Sequence, residues 1–335
     1  MTNARSKHHV LVCAVAVLAA VATASVLHAA ARSERRDVAR PDGPTVAAGR
    51  VTLTDKRRIV FRNMAWGPHR DELTTVPASS PTGARTASGV KCLRFHAASG
   101  TGVCLQAVHG AMQDSYRATI LDAHLNEQAH YTIPGIPSRA RVSPSGRLAA
   151  WTVFVGGDSY AGTNFSTRTA ILDTRTGKLT PSLEGFAIRK NGHRYRAADV
   201  NFWGVTFAAD DRHFYATLAT KGRTYLVRGD LRTRTLTTLR TNVECPSLSP
   251  DGTRIAYKSL PADAPWRLHV LDLRTLRDHP LAETRSVDDQ AVWQDDTTLT
   301  YALPGDYGAD LYAVAADGGG APHRVLTAAV SPTYL

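Results

Sequence analysis

Ser159 stands in the stretch "GGDSYAG", Gly156 to Gly162, where glycines flank a small hydroxyl residue as they do in the nucleophile elbow of a hydrolase. Such an elbow needs Gly-x-Ser-x-Gly between a strand and a helix, so that a strained turn lifts the hydroxyl above a parallel sheet. Here position 161 is Ala161, and "FSTRTAILD" from Phe165 continues with a strand pattern. The stretch reads as a loop, richer in Gly, Tyr and Asn than its counterparts. Loops of this kind on a rigid scaffold contact partners, which makes Asp158, Ser159, Tyr160, Asn164 and Phe165 the binding candidates.

Three carboxylates form a second candidate. Asp199, Glu244 and Asp288 each precede a strand pattern, where they could converge and hold calcium, an oxygen-seeking ion. Their offsets from the neighbouring strands are unequal, and three ligands fall short of what calcium takes, so solvated strand-entry residues are the competing reading. The histidines show no HExxH spacing, and no Gly-rich phosphate loop joins a strand to a helix. No cofactor is expected, with calcium as the alternative.

The cysteines carry a third. Cys92 in "VKCLRF" and Cys104 in "GVCLQAV" flank the turn-rich "AASGTG" on neighbouring strands of one hairpin, a pairing suited to a disulfide in an exported chain. Cys245 is left over and reads as a buried thiol. Cys13 is a small apolar residue in the N-terminal segment.

Elements that could position these groups recur along the chain. "VSPSGRLAAWTVF" from Val142 and "LSPDGTRIAYKSL" from Leu248 share Ser-Pro-x-Gly, then an alternating apolar run that reaches an aromatic residue. Looser copies begin at Phe207 and Val292, and the chain ends on "AVSPTYL". A second signature follows most copies: a β-rich run ending in an acidic turn, as in "AILDTRTGKL" from Ala170 and "HVLDLRTL" from His269. Proline fixes φ and glycine accepts a positive φ, so Ser-Pro-x-Gly turns one strand tightly into the next. Units of four short strands repeated in this way are the signature of propeller blades. With 43% hydrophobic residues in 335, the chain can bury such a core. The expected fold is all-β, a six-bladed β-propeller over 49–335, closed where the last strand, Thr327 to Leu335, joins the sheet holding Ile59 and Phe61; closure removes a weak edge.

Repeats of Ser-Pro-[Asp/Ser]-Gly-x-x-[Ile/Ala]-Ala-[Trp/Tyr], each followed by a Leu-Asp-x-x-Thr-Gly-like turn, resemble the TolB-like β-propeller family. The resemblance covers Gly49 to Leu335. It implies an exported six-bladed propeller that binds other proteins in the cell envelope; the α/β domain that TolB carries before its propeller is replaced here by an arginine- and proline-rich linker, 32–48.

Ahead of that linker, Arg5 and Lys7 precede the apolar run Val10 to Leu27 and the small residues Ala29, Ala30 and Ala31. This is the layout of an export signal, and the run is long enough to serve instead as an uncleaved membrane anchor; residues 1–31 are one or the other. The net charge of +11 favours anionic partners, but no basic helix or aromatic-basic repeat marks a nucleic-acid module. The reading is a monomeric, exported protein, secreted or held at the outer face of the cytoplasmic membrane. It acts as a non-catalytic module that binds an envelope protein or an anionic envelope polymer. The alternative is a metal-dependent propeller enzyme, a lactonase or polysaccharide lyase, built on Asp199, Glu244 and Asp288.

Overall fold

The computed structural model describes the whole chain except residues 1, 111–113, 158–164 and 263–264, and leaves the side chains of 2–12, 29 and 32–35 undescribed. After one helix, α1 (Thr2–Asp37), the described chain is built from strands, with a single short 3-10 turn at Leu183–Gly185. Six sheets, each with an antiparallel four-stranded core, follow one another around a ring. Blade 2 holds Arg94–Ala98, Thr101–Val108, Ser115–Leu121 and Glu127–Ile133 from the centre outward. Blade 3 begins at the centre with Ile136–Val142, blade 4 with Asn201–Phe207, blade 5 with Glu244–Leu248 and blade 6 with Val292–Trp293.

Blade 1 closes the ring as the repeats imply. Its innermost strand is the C-terminal Ala329–Tyr334, which pairs antiparallel with Arg58–Asn63: Ile59 lies opposite Tyr334 and Arg62 opposite Val330. Backbone bonds from Arg57 N to Leu335 O (2.8 Å) and from Leu335 N to Arg58 O (3.0 Å) extend the seam. The buried Arg85 guanidinium adds bonds to the carbonyls of Thr327 (2.6 Å) and Ala328 (3.2 Å), and burial lowers its pKa to about 10, so it stays charged there. The end of the expected linker is not free: Val46–Ala48 pairs in parallel with Arg85–Lys91 at the outer edge of this blade. Blade 4 is likewise widened by the hairpin Ala187–Lys190 and His193–Tyr195.

Each junction between neighbouring blades has its own apolar cluster. Leu148 and Ile171 meet Phe202 and Phe214 between blades 3 and 4, and Ile59 and Phe61 meet Leu311 and Leu326 between blades 1 and 6. The alternating runs after each tight turn supply these residues, since every second side chain faces the next blade. The acidic residue of the second signature is a turn device: Asp173 Oδ1 accepts from Arg175 N and Thr176 N, and Asp230 Oδ1 from Arg232 N.

The central strands are interrupted in a common way. In blades 1, 3, 4 and 5 the register slips at one point, around Ser331, Ser138, Gly204 and Cys245. Three of these have positive φ: Gly204 (64°), Cys245 (49°) and Ser331 (55°). Glycine suits position 204 twice over, because a Cβ would also lie 2.7 Å from the Cα of Cys245. Such bulges re-aim side chains, here into the channel. Ser331-Pro332 lies within the last strand, as expected, at a bulge that matches Cys245-Pro246.

The expected disulfide is present. Cys92 and Cys104 are bonded with their Cα atoms 5.4 Å apart, and a bend at Leu93 carries Cys92 back over its partner. Cys245 is a free, buried thiol, and burial pushes its pKa up.

Candidate functional site

Two regions near the channel concentrate chemistry-bearing side chains. The first centres on Lys258, on the second strand of blade 5, Arg254–Ser259, with no exposed side-chain surface. Its ammonium bonds to Asp288 Oδ1, lies 3.6 Å from Glu244 Oε2, and sits 4.0 Å from the centroid of the Trp266 ring. Trp266 Nε1 donates to Glu244 Oε1 at 3.4 Å. Burial holds the Glu244 carboxyl above the usual carboxylate range, while the Lys258 charge pulls it down and the Asp288 charge pushes it further up. The tight positioning follows from pairing, since Glu244 lies directly opposite Lys258 across the sheet.

Of the three carboxylates singled out in the sequence, Glu244 and Asp288 thus converge. Asp199 does not join them: it accepts from Thr220 Oγ1 (2.8 Å) and Lys221 N (2.5 Å) at a turn of blade 4, and these bonds lower its pKa. Among the described residues no group of three His, Cys, Asp or Glu side chains is placed to hold a metal ion. An ammonium already stands between the two carboxylates that do meet, so this donor set does not fit a calcium ion.

The second region is a ring of one residue per blade, near the end of each central strand. His96, Arg141, Thr206, Ser247, Val292 and Thr333 line a cavity of about 410 Å³ that opens between the tight turns carrying Pro144 and Pro250. One step deeper, Arg94, Arg139, Gln290 and Ser331 narrow the channel to a space of about 30 Å³. Arg139 donates to the carbonyl of Asp288 at 2.9 Å, and Gln290 donates to that of Pro246 at 2.7 Å. Sequence reasoning missed this ring. The available signal was the fixed position before Ser-Pro, which holds Arg141 in one repeat and Ser247 in another.

Among the loop candidates, Asp158, Ser159, Tyr160 and Asn164 lie outside the described residues. Phe165 is half-buried at the loop's exit, edge-on to Phe154 (centroids 6.2 Å apart) and Trp203 (5.3 Å). The loop leaves from the face of the disc where second strands end. Val108, Ile136, Val155 and Leu260, each 40–44% exposed, lie on that face. The base of α1 meets the same face, where Gly67 N donates to Arg36 O at 2.7 Å and Arg40 lies over the Trp66 and Tyr307 rings. Along α1, Val15, Leu18, Val21, Val26 and Leu27 are well exposed. Among the described residues no helix is long and apolar enough to cross a membrane.

No family model matches this chain, and no curated protein matches it by sequence. Solved structures do match in shape. One is TolB from Acinetobacter baumannii, with a TM-score of 0.53 at 15% identity over 82% of this chain and 66% of that one. Another is a puromycin-hydrolyzing peptidase from Mycobacterium tuberculosis, with a TM-score of 0.51 at 14% identity over 83% of this chain and 44% of that one. The chain therefore spans just under two thirds of the TolB and less than half of the peptidase. At these identities the likeness is one of fold: the chain has the propeller architecture of TolB proteins, shared also with a hydrolytic enzyme.

Proposed function

We propose that this protein is an exported, membrane-facing propeller that binds an envelope protein without chemistry of its own. One observation carries the reading: Val108, Ile136, Val155 and Leu260 stand exposed on one face of the disc, the face from which α1 departs. Ile136 and Val155 stand on adjoining strands of blade 3, with Val108 and Leu260 on the same face at blades 2 and 5, an apolar display suited to a partner. The exposed apolar flank of α1 calls for a non-aqueous neighbour, as an export signal or an anchor would have. The positive net charge steers acidic partners or anionic envelope polymers towards the disc. The TolB likeness supports the scaffold, and the partner of this chain is its own question.

The metal-dependent enzyme reading is weaker because the Lys258 ammonium stands between Glu244 and Asp288, where a metal ion would have to sit. The test is capture from envelope extract by the full chain, compared with an Ile136→Lys/Val155→Lys double variant. Enrichment of one envelope protein by the parent and its loss in the variant supports the docking face. Equal capture by both, or calcium-dependent turnover of a lactone or polyuronate, overturns the reading.

A further inference from the structure

The cavity ring is unusual in what it offers. Thr206 Oγ1 accepts from Leu248 N (3.1 Å) and Thr333 Oγ1 accepts from Ala97 N (3.2 Å), which leaves each hydroxyl proton to donate. His96 Nδ1 accepts from Val142 N at 3.1 Å, which places the ring proton on Nε2 as a further donor. Arg141 is 7% exposed, its Nε has no hydrogen-bond partner, and its one bond is a long one of 3.4 Å to the carbonyl of Ala291. Among the described residues no carboxylate pairs with it. Asp289 acts on it only through its charge, and Asp251, at the cavity rim, has its oxygens taken by Ser249 and Thr253.

A buried guanidinium without an anion beside three further donors is a half-made site. Its planar fork suits a carboxylate, and one unpaired cation matches one negative charge. Phe207, Tyr215 and Trp293 form an apolar wall on the same cavity, whose volume falls in the range of small-molecule pockets. We propose that the channel binds a small organic acid, its carboxylate on Arg141, His96, Thr206 and Thr333 and its apolar body against Phe207 and Trp293. Burial holds His96 well below the usual imidazole range, so it donates as a neutral ring. The site opens at the face opposite the exposed aliphatics, so it stands apart from the docking reading.

The test is calorimetric titration of the full chain with acetate, phenylacetate and indoleacetate, with phenylacetamide and inorganic phosphate as controls. Phenylacetate or indoleacetate should bind, the neutral amide should not, and Arg141→Gln should weaken the affinity at least about tenfold, as expected for a charged hydrogen bond. Arg141→Lys, which keeps the charge but loses the fork, should fall between. Should Arg141→Gln not fold, the His96 imidazole resonances of the wild-type protein give a second readout and should shift on adding phenylacetate. No binding by any of the three acids, equal binding by Arg141→Gln, an unmoved His96, or binding of phosphate alone overturns the proposal.

Discussion

Two buried cations near one channel meet opposite fates. Lys258 is enclosed by Glu244, Asp288 and the Trp266 ring, so its charge is balanced inside the fold. Arg141 is nearly as withdrawn from water, yet among the described residues it has one long bond to a carbonyl and no carboxylate paired with it, Asp289 acting only through its charge. Burying a charge is costly unless it is paired, so the first arrangement reads as architecture and the second as a place left for an anion from outside. The lesson is that burial alone does not mark a site. The missing partner does.

Removing the balanced cation gives the largest expected effect. Lys258→Met should destabilise the protein by about 3–5 kcal/mol in equilibrium urea unfolding, because Glu244 is left buried with no cation. A loss below about 1 kcal/mol would show that the cluster is solvated. The triple variant Lys258→Met/Glu244→Gln/Asp288→Asn should recover most of that loss, since no orphaned charge remains.

Next is the disulfide, which closes a short loop beside the ring's first full repeat. Replacing Cys92 and Cys104 together by Ala should cost about 2–4 kcal/mol, read as a lower melting temperature that reducing agent does not change further.

A comparably sized effect comes from a second buried glutamate. Glu283 accepts from Arg285 (2.7 and 2.9 Å) and from Tyr301 Oη (2.6 Å), and these bonds overcome burial to hold its pKa down at about 2. A carboxyl depressed in the folded state contributes stability above its unfolded pKa and loses it as pH falls through the folded one. Its contribution, on the order of 2–3 kcal/mol, should therefore be complete above pH of about 5 and fade towards pH 2. Glu283→Gln should flatten that acid limb of the stability profile. Glu244, shifted the other way, should act in the opposite sense and add stability as pH falls through its raised pKa.

The smallest effect belongs to the exposed face. Val155→Ser and Leu260→Ser should each change stability by no more than about 0.5 kcal/mol while weakening partner capture. A large loss would mean these side chains belong to the packed structure.

The ring was legible in the sequence because its device is local. Ser143-Pro144 and Ser249-Pro250 announce the tight turns, and the alternating residues after them announce which side chains pack between blades. The closing strand was legible too, although the bulge at Ser331-Pro332 within it was not. The channel regions were less legible: Glu244 and Asp288 could be named, but not the cation that joins them or the ring around Arg141. Lys258, at the end of "RIAYK", has the look of a solvated strand-end cation, and its partner Asp288 arrives thirty residues later from the entry to the next blade. In "SRARV", Arg139 and Arg141 alternate as surface arginines do; their outward side is the channel, which exists only once all six blades are in place. Asp199 misled because a carboxylate before a strand fits a turn cap as well as a ligand.

The contrast between the two cations is tested most directly by replacing the unpaired one. Arg141→Met, followed by urea unfolding without added ligand, should leave stability within about 1 kcal/mol of the parent or raise it, because the change relieves a buried charge that no carboxylate among the described residues pairs with. A loss as large as that of Lys258→Met would show that Arg141 is held by the fold after all, and the distinction between the two regions would fall.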